Sequence, residues 1–264
     1  MIQTRPLNGR RIVLTRDPEG AARLAGRLEM LGAEVLKMPL LEVRYDVDGK
    51  AAEEILREFA SYEWLLFTSR NGVKHFFNLF FNVFDDIRSL GFVRIGAVGK
   101  GTEEALAEFH LRADLVAPKA TADELAKALA EEQTLDNLKI LVIVGNRNRD
   151  DLTRTLWEER AIVDNLRVYS THFRDLTDSP EAALFRQEGA DAVVFASASA
   201  VQAFGEQAQH LSLQKGARVP VLCSFGPSTS EHMKKAGIPV AVEADSPGID
   251  GMVEALVQYF ASKS

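Results

Sequence analysis

RIVLTRDPEGAARLAGRLEMLGAEV occupies residues 11–35, and KILVIVGNRNRDDLTRTLWEERAIV occupies residues 139–163. Each stretch opens on a short apolar run, passes through a polar turn, continues with leucines at helical spacing and ends on a second apolar run. That order is the βαβ unit of a parallel sheet, since parallel neighbours need a crossover long enough to hold a helix. Aligned, Ile12 falls on Ile140, Leu24 on Leu152, Leu28 on Leu156 and Val35 on Val163, all 128 positions apart.

Working outward, FTSRNGV (67–73) repeats as FASASAV (195–201) at the same offset, and Phe76 falls on Phe204. VGKGTEEAL (98–106) matches FGPSTSEHM (225–233), placing Thr102 on Thr229 at an offset of 127, and Leu125 and Leu129 meet Met252 and Leu256. An offset this steady through separate segments reads as an ancient duplication.

Between these landmarks the chain alternates strand and helix patterns. IVLT (12–15), WLLFT (64–68), ILVIV (140–144), AVVFA (192–196) and VPVLCSF (219–225) lack polar alternation, as parallel strands buried on both faces do. Leu24, Leu28 and Leu31 form one helical stripe, and Val73, Phe76, Phe77 and Phe80 form another. The fold class expected is α/β, with two doubly wound parallel-sheet (flavodoxin-like) domains. LLEVRYD (40–46) and NLRVYSTHF (165–173) break the rhythm at equivalent places, with Leu41 opposite Tyr169. They suggest that the chain crosses between domains twice, an arrangement that the sequence alone does not distinguish from two contiguous halves. One discontinuous domain would hold 1–41 plus 172–264 and the other 46–167, with 42–45 and 168–171 as connectors.

Composition excludes several classes. An apolar content of 46% with 26% charged residues is that of a globular chain, and a net charge of −7 argues against a nucleic-acid or anionic-membrane partner. The opening MIQTRPLNGR has no apolar signal core, and no apolar run approaches a membrane span. A single cysteine, Cys223, leaves no internal disulfide and fits a reducing cytoplasm. Without heptads or a self-association stripe, a monomer is expected.

In open parallel sheets, ligands bind beyond the carboxyl ends of the strands, where helix N-termini point. The segments expected there include TRDPEG (15–20), TSRNG (68–72), GKGT (99–102), PKATADE (118–124), GNRNRDD (145–151), SASA (197–200), GPSTS (226–230) and DSPG (245–248). They carry hydroxyls, glycines and isolated cations. Each hydroxyl also suits a plain helix cap, whereas the set as a whole suits a small polyanion. AVGKGTEEAL is not a phosphate loop, because Gly101 follows the lysine and Glu104 replaces the last glycine of a dinucleotide motif. The histidines, His75, His110, His172, His210 and His232, show no metal-ligand spacing, and a single cysteine leaves no zinc signature. His75 and His232 fall in predicted helices, in surface or packing roles. No carboxylate pair stands out as acid and base.

The phrases LTRDPEGAARLAGRLEMLGAEVLKMPLLEV, FTSRNGV, AVGKGT, RVYST, VVFASASAVQAF, FGPSTSEHMKKAG and GMVEAL, in that order, resemble the uroporphyrinogen-III synthase family across almost the whole chain. The resemblance implies two α/β domains joined by a two-stranded β connector, with the active site in the cleft between them. It also implies a cyclising hydro-lyase that turns hydroxymethylbilane into uroporphyrinogen III without a cofactor, with possible transient contact with hydroxymethylbilane synthase. Tyr169 matches the family's connector tyrosine, which would assist hydroxyl departure as the catalytic residue. Thr102 and Thr229 match the loop threonines at helix starts, in binding or capping roles. Ser69 and Ser197 match hydroxyl positions lining the cleft, and Ser228 lies in the same loop as Thr229. Arg16, Arg147, Arg149 and Lys119 are added as substrate-binding candidates for loop position and charge. Two departures stand out: Ala196 replaces the usual threonine after the phenylalanine, and ERAIV lacks a counterpart of Gly32. The rival readings are a two-lobed cytoplasmic module that binds a small anion without catalysis, and a nucleotide-sugar transferase, which the missing nucleotide motif disfavours.

Overall fold

The computed structural model describes residues 5–147, 151–246 and 248–263. The first half of the chain runs β1 (Arg11–Leu14), α1 (Pro18–Met30), β2 (Glu34–Lys37), β3 (Leu41–Tyr45), α2 (Gly49–Arg57), β4 (Trp64–Phe67), α3 (Arg70–Val83), β5 (Arg94–Ala97), α4 (Lys100–Ala107), β6 (Leu115–Val116) and α5 (Ala122–Glu132). It continues as β7 (Lys139–Gly145), α6 (Asp151–Glu158), β8 (Ile162–Phe173), α7 (Pro180–Glu188), β9 (Ala192–Phe195), α8 (Ala198–Glu206), β10 (Val221–Ser224), α9 (Pro227–Lys235), β11 (Val242–Glu243) and α10 (Ile249–Ala261). Contacts divide these elements into two compact units. Unit 1 is Met1–Glu42 with His172–Ser264, and unit 2 is Val43–Thr171.

The sheet of unit 1 has the order β11-β10-β9-β1-β2, and every pairing in it is parallel. Val13 sits between Leu36 of β2 and Val193 of β9. The other sheet has the order β3-β8-β7-β4-β5-β6, with β8 through β6 parallel. Taken as β2-β1-β9-β10-β11 and β8-β7-β4-β5-β6, the two orders agree strand for strand at the offsets seen in the sequence. The added strand is β3, which lies beside β8.

Helices on both sheet faces explain the unbroken apolar strands: β1, β4 and β9 are buried at every residue. In unit 1, Ile12 and Leu14 pack with Leu24 and Leu28 of α1 and Met252 and Leu256 of α10. Val13, pointing the other way, joins Ala200 and Ala203 of α8 and Met233 of α9. In unit 2, Leu65 and Phe67 meet Phe76, Phe77 and Phe80 of α3, while Trp64 and Leu66 meet Leu125 and Leu129 of α5. The sequence stripe Leu24–Leu28–Leu31 stops short in the structure, because Leu31 is the residue that ends α1 rather than a member of it.

The amino ends of the unit 1 strands are locked by charge. Asp191 accepts the backbone N–H of Arg11 at 2.8 Å and pairs with Arg10 at 3.1 Å and Arg218 at 2.7 Å. Arg11, almost buried, pairs in turn with Glu34 and Glu188. These contacts lie at the end of the sheet opposite the loops that follow the strands.

One irregularity positions a candidate side chain. Along β7 and β8 the register runs Val144 opposite Arg167, then Gly145 opposite Tyr169, so Val168 is an extra residue in β8. In a regular strand, neighbours point to opposite faces. Here Leu166, Val168 and Tyr169 all enter the same core cluster, as a bulge that re-aims one side chain requires.

Candidate functional site

Tyr169 is nearly buried, with 8% of its surface exposed, and its phenol oxygen lies 3.0 Å from Ser69 Oγ. Ser69 is also the N-cap of α3, accepting the backbone N–H of Gly72 at 3.0 Å. The serine thereby joins the start of a helix to the phenol. Burial raises the Tyr169 pKa above its ordinary value, and the Ser69 hydrogen bond partly opposes the rise. The group therefore stays an O–H, able to donate, throughout neutral pH.

Gly145, opposite Tyr169 on β7, makes the room: a Cβ built there would lie 2.4 Å from Cζ and 2.8 Å from the phenol oxygen. The next residue, Asn146, clasps the end of β8, donating to the Thr171 carbonyl at 3.2 Å and accepting the Thr171 N–H at 2.8 Å. Against the phenol ring lies His75 of α3, its ring centroid 5.9 Å away and its plane tilted by 23°. The packing role that His75 takes is against the candidate phenol itself. No sequence periodicity signals it, since the two residues are 94 positions apart and meet through a strand bulge.

Thr102 and Thr229 occupy matching places. Each is the third residue of its helix, α4 or α9, and each is buried. The capping alternative is corrected for both: the N-caps are Gly99 and Gly226, and neither helix start has a side-chain cap. Gly226 has φ 153°, a backbone state that favours glycine. Helix starts with open N–H groups suit negative charge. Ser197 caps α8 by accepting the Ala200 N–H at 3.2 Å, as Ser69 caps α3. Ser228 is exposed at the second position of α9.

The cations are more scattered. Arg16 is exposed beside Asp17, the cap of α1. Arg147 is exposed and its Nε donates to the Thr171 carbonyl at 3.3 Å, so it too lies at the end of β8. Lys119 is exposed, 3.9 Å from the Glu124 carboxylate. Arg149 lies outside the described residues, as does Pro247 of DSPG. Sequence reading passed over Arg70, the first residue of α3, which donates to the Gly101 carbonyl and pairs with Glu104, both at 3.3 Å. It ties together the two loops holding Ser69 and Thr102.

The substitution of alanine at 196 has a structural answer. In unit 2, Thr68 donates from the end of β4 to the Ile143 carbonyl of β7 at 3.0 Å. In unit 1 the tie between the equivalent strands runs the other way, from Thr15 after β1 to the Val194 carbonyl of β9 at 2.8 Å. Among the described residues, no group of His, Cys, Asp and Glu gathers as metal ligands, and no helix is long and apolar enough to cross a membrane. A pocket of about 410 Å³ opens at the opposite end of the unit 2 strands, beside Trp64, Phe92 and Arg94.

Parallel sheets covered by helices on both faces, with helix starts at the carboxyl ends of their strands, place the chain in the α/β class. The family model described as uroporphyrinogen-III synthase HemD matches residues 22–254. The chain is 28% identical over 254 residues to a porphyrin biosynthesis protein HemD of Ruminiclostridium josui, covering 96% of this chain and 49% of that one. It is 27% identical over 261 residues to a uroporphyrinogen-III synthase of Synechococcus elongatus, covering 96% of this chain and 97% of that one. It therefore spans about half of the first relative and nearly all of the second. Solved uroporphyrinogen-III synthases from Thermus thermophilus and Helicobacter pylori share the fold, with TM-scores of 0.64 and 0.63 at 18% identity. They cover 97% and 95% of this chain, and 100% and 99% of their own. The chain belongs to the uroporphyrinogen-III synthase family. Family and relatives' names together indicate the cyclising synthase of porphyrin and tetrapyrrole biosynthesis.

Proposed function

We propose that this chain converts hydroxymethylbilane to uroporphyrinogen III, inverting the terminal pyrrole ring and releasing water, with Tyr169 as the catalytic residue. The observation carrying this reading is a protonated, buried phenol hydrogen-bonded to the cap of α3 at the loop edge of its sheet. As the C–O bond of the hydroxymethyl group breaks, the phenol donates a hydrogen bond to the departing oxygen. The electron-rich pyrrole left behind is a stabilised cation, so a modest donor suffices. The last ring then attacks this cation through its substituted carbon, and its old bond to the neighbouring methylene breaks. The methylene cation so released is captured at the ring's free carbon, whose proton is lost and balances the hydroxyl that leaves as water. Holding the chain for this sequence is a problem of orientation.

The substrate bears carboxylates on every ring, and an acidic protein must bind them locally. Open helix starts at Thr102 and Thr229, the hydroxyls of Ser69, Ser197 and Ser228, and the cations Arg16, Lys119, Arg147 and Arg149 are the proposed contacts. The two units are proposed as domains related by internal duplication, a reading supported by their shared strand order. A monomer in the cytoplasm, with β3 and β8 as the interdomain connection, completes the proposal.

The test is an isomer assay. Purified protein is mixed with freshly generated hydroxymethylbilane and no added cofactor, and the oxidised products are separated. Dominant type III porphyrin is expected. Type I alone, at the uncatalysed rate, overturns the reading in favour of a binding module.

A further inference from the structure

The phenol of Tyr169 is held by more than its hydrogen bond. Gly145 leaves a space that the Tyr169 ring fills, and His75 lies against that ring at 5.9 Å and 23°. One turn from Gly72 and Leu79, both buried on α3, His75 is itself half-buried. Its Nδ1 is buried and has no hydrogen-bond partner among the described residues. A buried polar atom left unpaired is costly, and such atoms persist where function retains them. Burial, with Lys74 nearby, also lowers the basicity of the imidazole, so a neutral ring faces the phenol.

The other unit supplies a control. At the offset of 128, Ser197 corresponds to Ser69 and is also an N-cap. Tyr169, however, corresponds to Leu41, Gly145 to Asp17 and His75 to Ala203. The cap is common to both units, whereas the glycine, the imidazole and the phenol occur together in one. Ser69 completes the set. Because its oxygen already accepts the Gly72 N–H, its own proton can go to the phenol oxygen, leaving the phenol proton to be given elsewhere.

We propose that His75 and Gly145 are positioning residues for Tyr169: the imidazole face and the missing side chain fix the rotation of the phenol ring, and with it the direction of the O–H bond. The proposal rests on the catalytic reading of Tyr169 given above. His75 itself touches neither the departing oxygen nor the attacking carbon.

The experiment is a double-mutant cycle on the full chain, following kcat and KM for type III formation from freshly generated hydroxymethylbilane. Tyr169→Phe is expected to lower kcat by about a hundredfold. His75→Ala is expected to lower kcat by about tenfold with KM within about twofold, as loss of orientation does. The double variant is expected to be no slower than Tyr169→Phe alone, because His75 acts through the phenol. His75→Phe keeps a flat ring and removes the unpaired nitrogen, so it should recover most of kcat and melt at a higher temperature. His75→Leu fills the space without a flat face and should lose kcat as alanine does, which keeps the test open if alanine impairs folding. Wild-type kcat in His75→Ala or His75→Leu, beside a slow Tyr169→Phe, overturns the role of His75 alone. Losses that multiply in the double variant overturn it too. A Tyr169→Phe variant at the wild-type rate overturns the catalytic reading beneath it.

Discussion

At Tyr169 the physical chemistry sets a specific pH behaviour. A free phenol titrates near 10, and burial moves this one upward. A reaction that needs the phenol protonated should therefore keep its full rate through pH 9, with no alkaline limb from this group below about 10. A kcat profile falling between pH 7 and 9 in the wild type but flat in Tyr169→Phe would contradict that assignment. Cys223 behaves as a core residue: burial lifts its thiol from 9.0 to about 12. Iodoacetamide at pH 8 should leave it unmodified in the native protein and alkylate it fully in urea, as mass spectrometry will read. Between pH 9 and 12 the unfolded chain releases that proton and the folded chain keeps it. This residue therefore lowers stability as pH rises through that window and leaves it unchanged below. Among the residues, those legible in the sequence were the ones with a local signature. Ser69 and Ser197 end apolar runs just before a helix, and Cys223 sits within one. His75 carried no such mark, because its significance comes from a ring contact across the fold.

At the scale of elements, caps and a bulge decide what the loops present. Ser197→Ala removes the cap of α8 and should cost about 1 kcal/mol, seen as a lower denaturant midpoint with an unchanged m-value. Ser69→Ala should cost a similar amount and, in addition, reduce kcat by roughly tenfold, because that hydroxyl also reaches the phenol. As a proposed substrate contact, Ser197 should raise KM when replaced and leave kcat near wild type, so an equal loss of kcat in both variants would remove the distinction between them. Gly145→Ala places a methyl where the Tyr169 ring stands, and should cost on the order of 1–3 kcal/mol while displacing the phenol. A ring shift of this kind is measurable as a changed Tyr169 resonance. The parallel strands were legible because helices on both faces require unbroken apolar runs. The bulge in β8 was not, since VYS reads as ordinary strand and only the pairing with Gly145 shows the extra residue. Thr102 and Thr229 were legible by position but not by role. A glycine N-cap looks like a loop residue until the helix start is located.

At the scale of the molecule, the chain enters and leaves unit 2 through adjacent points. The Leu40 carbonyl accepts the N–H of Arg174 at 3.0 Å within unit 1, and the Val168 carbonyl accepts the backbone N–H of Asp46 at 3.4 Å within unit 2. Each unit therefore closes on itself. Residues 43–171 expressed alone should fold, and so should a chain in which a short Gly-Ser loop joins residue 42 to residue 172. Dispersed amide spectra and cooperative melts will establish this, and a molten 43–171 would show that the units depend on each other. Neither piece should make type III porphyrin. The α/β character of the whole was legible from the alternation of short apolar runs and helical stripes. The edge position of β3 beside β8 was not, because the pairing of chain-distant strands has no periodicity of its own.

The order of the unit 1 sheet also sets a timetable on the ribosome. β1 is made well before its inner neighbour β9, which begins at Ala192. At about 5–20 residues per second, roughly ten to thirty seconds of translation separate them. During that interval all of unit 2 emerges and can fold, while Ile12, Val13 and Leu14 wait with one flank unpaired. The nascent chain thus holds a sticky apolar strand beside a finished unit, and this is the stage at which a chaperone would find something to bind.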